Sequence, residues 1–441
     1  MICRSIVALG CVLAVGAMAQ NGEQRSASPI LKAGVREVLV PVVVTDKSGH
    51  YVTGLSRDDF IIFEDGVLQK IVAFSRSSVA TPVVQPADLP AGHAPAISPS
   101  VVRNDSPKQT YLICLDNLHS SFEDFAQVRK ALKKFFAEEQ AGDSQYALIA
   151  LGWKLHVVVD STRDPATILS AIGSKALLKT IQDSDARNLA TETDRFVGLV
   201  GFWCGNCDCA HPTRDLTGPG GGIGCPALKG QVEADLFSFS ERASTLNENF
   251  LRQLKQLVSA MSTMPTRRTV VFLSDGFNRF PGQELYSILK AYGVNGLNLK
   301  FDAHDLQPEL EGILRLAVRY DVRFYTIDSR GLYTSAEVPG TGLGADSPGA
   351  PSSVVHEEMS VAWFNGDAMS QLAKQTGGQF FENSNDLLKG IRRAFADSRE
   401  EYTIAYVPSN TKVDAKFRRI TVKLNDRKLQ IAAKAGYWAT P

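Results

Sequence analysis

The chain has 441 residues, and 44% of them are hydrophobic, which is enough to build two or three domains with full cores. Lys and Arg together number 47, as do Asp and Glu, so the formal net charge is zero. This balance argues against nucleic acid as the main partner.

Residues 1–19 have the three parts of a secretory signal peptide. Arg4 supplies the positive start, residues 6–17 form a short apolar run, and Ala17-Met18-Ala19 fits a cleavage signal. No later stretch contains the roughly 18 consecutive apolar residues that a transmembrane segment needs. We therefore expect an exported protein without a transmembrane segment, in the periplasm or outside the cell, where disulfides persist.

Two segments at the ends of the chain have the patterns of β strands. Segment 36–76 has apolar runs at 37–45, 59–63 and 67–74, and Asp65-Gly66 between the last two is a strong hairpin signal. Segment 401–441 has runs at 402–407, 419–424 and 428–431, the last two flanking an expected hairpin turn at 425–427. Neither segment has enough strands to be stable alone, so we expect them to pair into one small β domain. A proline-rich linker, 77–107, follows the first segment.

Residues 108–400 alternate between strand and helix patterns. The expected strands are 110–115, 145–151, 154–159, 268–274, 321–327 and 379–382. The expected helices are 121–139, 165–172, 241–263, 308–319, 363–376 and 385–399. This alternation predicts an α/β fold with a mostly parallel sheet covered on both faces. Two irregular stretches interrupt it, a cysteine-containing insertion at 202–230 and a Gly, Ser and Pro-rich loop at 329–358.

Two of the apolar runs end on an aspartate. Asp116 follows Tyr111–Leu115, and Asp275 follows Arg268–Ser274. In an open parallel sheet the carboxyl ends of the strands share one edge, where ligands bind. Carboxylates and hydroxyls at that edge are suitable ligands for a hard divalent cation.

Taken together, these segments resemble a von Willebrand factor type A domain. Over nearly everything after the signal peptide, the chain is similar to an acidobacterial VWFA-related family of exported proteins. The segments that carry the resemblance are Val43–Gly49, Leu55–Phe60, Phe63–Gly66 with Gln69, Leu115-Asp116, Val270–Phe277, Tyr402–Tyr406 with Pro408, Phe417–Ile420 and Gly436-Tyr437. The resemblance implies a Rossmann-like fold and a role in protein–protein interaction or adhesion, rather than a particular substrate.

The resemblance also implies a metal site built on the pattern D-x-S-x-S, a distant Thr and a distant Asp. Asp116 and Ser120 match the first and fifth positions, and Asp275 matches the distant Asp. Thr245, at the expected start of the long helix, is the candidate threonine, whereas Leu118 replaces the middle hydroxyl. The expected ion is Mg²⁺, Mn²⁺ or Ca²⁺. An acidic residue of a protein partner would then complete its coordination.

Structural roles remain open for the same residues. Asp116 can cap the helix that follows it, and Asp275 can stabilise the turn at Gly276. Asn117 and Ser121 are substitute ligands close to the incomplete motif, and His119 is a lone histidine. A structural envelope protein without a metal is therefore an alternative.

Four cysteines, Cys204, Cys207, Cys209 and Cys225, lie in the insertion. Export favours two disulfides over a zinc site that would include His211. Pairing of Cys207 with Cys209 is the least favourable geometrically. Cys204-Gly-Asn-Cys207 resembles a thioredoxin-like redox motif, so a thiol-disulfide oxidoreductase is a second alternative. Cys114 is expected to be an inert thiol in a buried strand.

No hydrolase elbow, zinc-protease motif or phosphate-binding glycine loop occurs in the chain, and we therefore do not expect an enzyme. The sequence favours an exported protein-interaction or adhesion protein with a degenerate metal site.

Overall fold

We describe a computed structural model of the chain. It describes residues 37–76, 109–140, 142–182, 186–207, 209, 224–264, 266–294, 305–332 and 366–440. The chain divides after Arg36 into two units, and all described residues belong to the second. The predicted signal peptide, the Pro-rich linker, His211 and most of the 329–358 loop lie outside the described residues.

The described residues contain fourteen strands. These are β1 Val38–Thr45, β2 Phe60–Glu64, β3 Val67–Gln69, β4 Ile71–Arg76, β5 Gln109–Asp116, β6 Ser144–Leu151, β7 Leu155–Thr162, β8 Arg267–Ser274, β9 Val322–Asp328, β10 Phe380–Phe381, β11 Glu401–Tyr406, β12 Phe417–Leu424, β13 Gln430–Ala433 and β14 Gly436–Trp438.

Nine α-helices lie in the same ranges. These are α1 Phe122–Glu138, α2 Pro165–Gly173, α3 Lys175–Gln182, α4 Ala186–Asn206, α5 Cys225–Met261, α6 Gln283–Ala291, α7 Gln307–Arg319, α8 at 366–376 and α9 Leu387–Arg399. None of the described helices is long and apolar enough to cross a membrane.

Six strands form one mostly parallel sheet in the order β10-β9-β8-β5-β6-β7, in which only β7 runs antiparallel to its neighbour. Alternate residues of β5 enter two different cores, because successive side chains point to opposite faces of a strand. Leu112 and Cys114 pack with α5, α7 and α8, whereas Tyr111, Ile113 and Leu115 pack with α1, α2, α3 and α9. The predicted α/β fold, with helices on both faces of a mostly parallel sheet, is confirmed.

The terminal segments form two further four-stranded sheets, β13-β1-β11-β4 and β14-β12-β2-β3. Both sheets combine strands from before residue 77 with strands from after residue 400. Their inner residues share one hydrophobic core, to which β1 contributes Val40 and Val42 and β2 contributes Phe60 and Ile62. The two ends of the chain therefore build one sandwich of two sheets.

The turn at Asp65-Gly66 joins β2 and β3 as predicted, with both residues at positive φ. The run 67–74, however, is divided between β3 and β4, which lie in different sheets. The predicted hairpin around 425–427 is wrong, since β12 pairs with β2 and β14 while β13 pairs with β1. Apolar runs predict strands, but in a sandwich they do not determine which sheet each strand joins.

The cysteine insertion is more helical than the sequence indicates. Residues 202–206 belong to the end of α4, and α5 begins at Cys225, far before the expected start at 241. The first half of α5 packs with α4 and α6 around a separate core that contains Phe196, Trp203 and Phe239. The long α5 therefore connects this helical subregion to the central sheet.

Candidate functional site

Three neighbouring parallel strands, β5, β8 and β9, bring polar residues together at their carboxyl ends. The register places Leu115 beside Leu273 and Ser274 beside Asp328. Ser274 Oγ consequently reaches Asp116 and donates a hydrogen bond of 2.6 Å to its Oδ2. This is the sheet edge at which the sequence predicts ligand binding, and we call it the carboxyl edge.

The Asp116 carboxyl group is buried and has four hydrogen-bond partners in the protein. Its Oδ1 accepts from the backbone nitrogens of Leu118 and His119 at 3.0 and 3.1 Å. Its Oδ2 bonds with His119 Nδ1 at 2.8 Å and with the Ser274 hydroxyl. Each oxygen of Asp116 therefore already has two partners in the protein, and a carboxylate offers about four lone-pair sites in all.

His119 lies between Asp116 and helix α5. Its Nε2 is 2.8 Å from Asn247 Oδ1, and Asn247 Nδ2 donates to the Asn278 carbonyl at 2.6 Å. The imidazole meets the ring of Phe250 edge-on, with centroids 4.8 Å apart. The histidine therefore ties the loop after β5 to α5 across the carboxyl edge.

The Asp275 carboxyl group makes a second cluster next to the first. Its Oδ2 accepts from the Ser121 backbone nitrogen at 2.9 Å, and its Oδ1 accepts from the Ser329 hydroxyl at 2.6 Å. Burial, and then the negative charge of Asp124, raise the pKa of Asp275 well above its ordinary value, against the opposing effect of the two hydrogen bonds. The Asp275 side chain therefore favours a bound proton.

The predicted ligands do not form one oxygen cage around an ion. Thr245 lies inside α5, not at its start, is exposed, and donates to the Glu241 carbonyl of its own helix. Asn247 faces the carboxyl edge, and residues two apart on a helix do not share a face. Leu118 is packed in the hydrophobic core, and Ser120 is buried.

Lone-pair capacity decides whether a divalent ion fits. Such an ion needs free oxygen lone pairs, and both oxygens of Asp116 already have two partners each in the protein. Within the described ranges, no three His, Cys, Asp or Glu side chains are grouped in a way that suits a metal ion. The residues of this edge do not fit the ion that the resemblance implies.

Other residues take the two structural roles that the sequence suggests for Asp116 and Asp275. Ser121, not Asp116, caps α1, because its hydroxyl accepts from the Asp124 backbone nitrogen at 3.0 Å. Asp116 instead closes the turn before the cap. The turn at Gly276 is held by the Ser274 hydroxyl, which accepts from the Gly276 nitrogen at 2.9 Å. Gly276 adopts a φ of 88°, which suits glycine.

A cavity of about 560 Å³ opens beside this edge, between α4, α5 and the turn after β6. Trp153 is on that turn, and its side chain is 48% exposed. Leu189 and Leu246 supply apolar walls. The polar lining residues are Asn188, Thr191, Glu192, Glu241, Arg242 and Thr245. The predicted metal ligand Thr245 thus lines a cavity rather than the polar cluster.

The four insertion cysteines form two disulfides, Cys204–Cys209 and Cys207–Cys225. With all four thiols oxidised, no thiolate is available to bind zinc. A thioredoxin-like redox couple requires a bond between its two motif cysteines. Cys204 and Cys207 are not bonded to each other. Cys204 also lies in the last turn of α4, where the helix dipole disfavours a thiolate. Cys114 is buried with a free thiol, and burial raises its pKa.

Sequence reasoning missed several residues of this edge. Asp124 and Ser329 contact the Asp275 cluster, Asn247 contacts His119, and Trp153 lines the cavity. Ser329 could have been predicted from the sequence, because it directly follows a strand that ends on an aspartate, as at the other two strand ends of this edge. Asn247 could not have been predicted, because it is one polar residue within a long helical pattern.

No protein-family model and no curated protein matches the sequence. Among solved structures, an aerotolerance-related membrane protein from Bacteroides fragilis NCTC 9343 aligns over 65% of this chain and 98% of its own, with 10% identity and a TM-score of 0.29. BatB from Bacteroides thetaiotaomicron aligns over 65% and 97%, with 9% identity and a TM-score of 0.27. The pilus adhesin SpaC from Lactobacillus rhamnosus GG aligns over 89% and 49%, with 9% identity and a TM-score of 0.31. Likeness at these scores carries no argument about function.

Proposed function

We propose that the chain is an exported protein-interaction module that binds a partner protein at the carboxyl edge of its six-stranded sheet. In this proposal the sheet and its helices act as a von Willebrand factor A-like scaffold, and binding does not depend on a coordinated divalent ion. The observation that carries the proposal is the cavity of about 560 Å³ with the half-exposed Trp153 at its wall.

The Trp153 turn is held firmly in place. Asn249 Nδ2 donates to the Trp153 carbonyl at 3.2 Å, and Gln253 Nε2 donates to the Gly152 carbonyl at 2.6 Å. Both donors come from α5, so the indole stands on a rigid support. An exposed tryptophan on a rigid element loses little entropy on binding, and tryptophan is enriched among the residues that dominate interface energies.

The cavity lining indicates the chemistry of the partner. Among the described lining residues, two carboxylates, Glu192 and Glu241, accompany one guanidinium, Arg242. Arg242 forms an ion pair with Glu192, which leaves an excess of negative charge. A basic side chain that enters the cavity would meet both this charge and the face of an indole. We therefore expect a partner protein with an exposed lysine or arginine.

Two further exposed apolar side chains follow strand ends on the same side of the sheet. Phe122 follows the loop after β5 and is 47% exposed, and Leu332 follows β9 and is 57% exposed. Together with Trp153 they offer apolar contact around the polar cluster. Apolar and aromatic anchors of this kind are what a protein interface uses for affinity.

The two disulfides support export, because such bonds persist in oxidising compartments. They also favour binding over the competing oxidoreductase function. A redox couple needs a bond that forms and breaks between Cys204 and Cys207, whereas each of these sulfurs is bonded to a different cysteine.

Site-specific photo-crosslinking in the source cells tests the proposal. A photoreactive amino acid replaces Trp153 or Phe122 at the edge, or Val413 or Leu68 as exposed apolar controls in the two terminal segments. We expect one protein to be crosslinked from the edge positions and not from the control positions. Equal crosslinking from all four positions, or none from the edge, would contradict the proposal.

Point variants then test the chemistry with the partner so identified. Trp153→Ala and Glu241→Lys are expected to weaken binding at least tenfold, whereas Val413→Ala leaves it unchanged. All three positions are exposed at the surface, so the thermal unfolding midpoint should remain near that of the wild type. A Glu241→Lys variant that binds as tightly as the wild type would exclude a basic side chain in the cavity.

A further inference from the structure

One face of the β14-β12-β2-β3 sheet is turned away from the sandwich core. Along β12 the side chains alternate, because successive residues of a strand point to opposite faces. Ile420 and Leu424 are buried in the core, whereas Arg419, Thr421 and Lys423 are exposed. The exposed residues of β12 therefore belong to an outer face of the sandwich.

The strand register extends this outer face across β2 and β3. Thr421 lies opposite Phe63, and Phe63 in turn lies opposite Leu68 on the edge strand β3. Lys423 lies opposite Ile61, and its Nζ is 5.1 Å from the centre of the Phe63 ring. The Leu68 side chain is 64% exposed. Because residues directly opposite each other share a face, the outer face consists of Ile61, Phe63, Leu68, Arg419, Thr421 and Lys423.

The outer face carries positive charge. Within the described ranges, neither Arg419 nor Lys423 forms an ion pair with a carboxylate. Glu64 of the adjacent strand is buried in the core, where two tyrosine hydroxyls donate to it. Asp65 lies in the turn after β2 and accepts a hydrogen bond of 2.9 Å from the Arg419 backbone nitrogen. Residues 409–441 as a whole contain eight Lys and Arg against two Asp, so this part of the surface fits an anionic partner.

The apolar side chains of the outer face narrow the choice of partner. Positive charge alone would suit any polyanion, but a soluble polyanion offers no apolar contact to Leu68 or Phe63. A lipid bilayer presents anionic phosphates directly above an apolar layer. Basic and apolar side chains on one flat face can therefore be satisfied by it at the same time.

We propose that the outer face binds the surface of an anionic lipid bilayer. Arg419 and Lys423 contact lipid phosphates, and Leu68 and Phe63 enter the boundary between headgroups and acyl chains. The inference does not depend on the proposed partner protein, because the outer face shares no residue or strand with the carboxyl edge.

A fluorescent label at Leu68 tests this contact directly. Leu68→Cys in the full chain is labelled with an environment-sensitive dye and mixed with vesicles of two parts phosphatidylcholine to one part phosphatidylglycerol. We expect a blue shift of the emission and quenching by lipids with brominated acyl chains, neither of which occurs with phosphatidylcholine alone. Val157→Cys, at an exposed position of β7, is the matched control. An unchanged spectrum at Leu68, or equal changes at both positions, would overturn the proposal.

Charge variants in the labelled chain test the contribution of the basic residues. Arg419→Gln together with Lys423→Gln should weaken binding to the mixed vesicles by about fivefold for each charge and about 25-fold for the pair. Lys130→Gln together with Lys134→Gln removes two exposed charges from α1 and should leave binding unchanged. Equal affinities of the two double variants would contradict the proposal. Dextran sulfate, a soluble polyanion, should bind much more weakly than the vesicles. Binding of dextran sulfate as tight as that of the vesicles would assign the face to a polyanion instead.

Discussion

Asp116 and Asp275 follow neighbouring strands, yet their carboxyl groups are compensated in different ways. Asp116 has four hydrogen-bond partners in the protein, one of them His119. Asp275 has two hydrogen bonds and a second carboxyl group, Asp124, beside it. Burial and the neighbouring Asp124 carboxyl group raise the pKa of Asp275, which favours a proton on this side chain.

The raised pKa of Asp275 predicts a pH-dependent effect of Asp275→Asn. In the folded state Asp275 keeps its proton above the ordinary pKa of 3.8, so stability falls as the pH rises through the folded-state pKa. Asparagine mimics the protonated form and removes this loss. We expect urea unfolding to find the variant more stable than the wild type near neutral pH, with the difference vanishing near pH 3.8.

Asp328→Asn is the matched control for this series. Asp328 is the last residue of β9 at the same edge, but its carboxylate forms a buried ion pair with Arg330 at 2.6 Å. Its replacement should destabilise the protein by about 3 kcal/mol near neutral pH, because it leaves a buried charge without its partner. If Asp275→Asn destabilised the protein as Asp328→Asn does, the protonated state of Asp275 would be excluded.

The sequence predicted which aspartates meet at the edge but not what binds them. Apolar runs that end on Asp116 and Asp275 indicate strand ends, and parallel strands place those ends together. The hydrogen bonds that use the lone pairs of Asp116 come partly from backbone nitrogens and partly from a histidine three residues away. Such local turn geometry leaves no periodic pattern in the sequence.

At the level of elements, most strands and helices of the α/β part were foreseen to within two residues. Strand β8 was expected at 268–274 and lies at Arg267–Ser274, and α1 was expected at 121–139 and lies at Phe122–Glu138. The insertion was not foreseen, because its glycines and cysteines conceal the helical pattern of α4 and of the first half of α5. Cys207–Cys225 ties the end of α4 to the start of α5, and Cys204–Cys209 closes the loop at the end of α4.

The disulfides are expected to contribute unequally to stability. Cys207–Cys225 closes a separation of 18 residues, whereas Cys204–Cys209 closes one of 5. Chain entropy assigns about 3 kcal/mol to the longer loop and about 2 kcal/mol to the shorter one. Paired serine substitutions at each bridge, compared by urea unfolding, should show the larger loss for the Cys207–Cys225 pair.

Hydrogen exchange locates this effect. Loss of Cys207–Cys225 should speed exchange in the first half of α5 and leave the strands of the central sheet protected. Faster exchange throughout the sheet would mean that the insertion is not a separate local unit.

For the whole molecule, the two ends of the chain are joined by a buried carboxyl group. Glu64 in β2 accepts hydrogen bonds from Tyr406 in β11 at 2.6 Å and from Tyr437 in β14 at 3.0 Å. Burial, and then the hydrogen bond to Glu64, raise the pKa of Tyr406. Strands β2 and β11 were predicted from sequence, whereas β14 was not. The contact between these distant segments was not predicted either, because pairing across more than 300 residues has no local signal.

Glu64 provides the test of that connection. Glu64→Ala leaves two buried hydroxyl groups without an acceptor and should destabilise the protein by about 2–4 kcal/mol. Glu64→Gln keeps an acceptor and should lose markedly less. Thermal unfolding of the two variants measures the difference. Equal losses would mean that packing volume, not hydrogen bonding, sets the role of Glu64.

The central claim, that the carboxyl edge holds its charge without a divalent ion, is tested most directly by Mn²⁺ titration of the full wild-type chain under electron paramagnetic resonance. Free Mn²⁺ gives a signal that binding removes, so the result does not depend on stability. We predict that the free signal rises in proportion to added Mn²⁺, with no saturable site. Loss of one equivalent of signal, restored by Asp116→Asn or Asp275→Asn, would contradict the account.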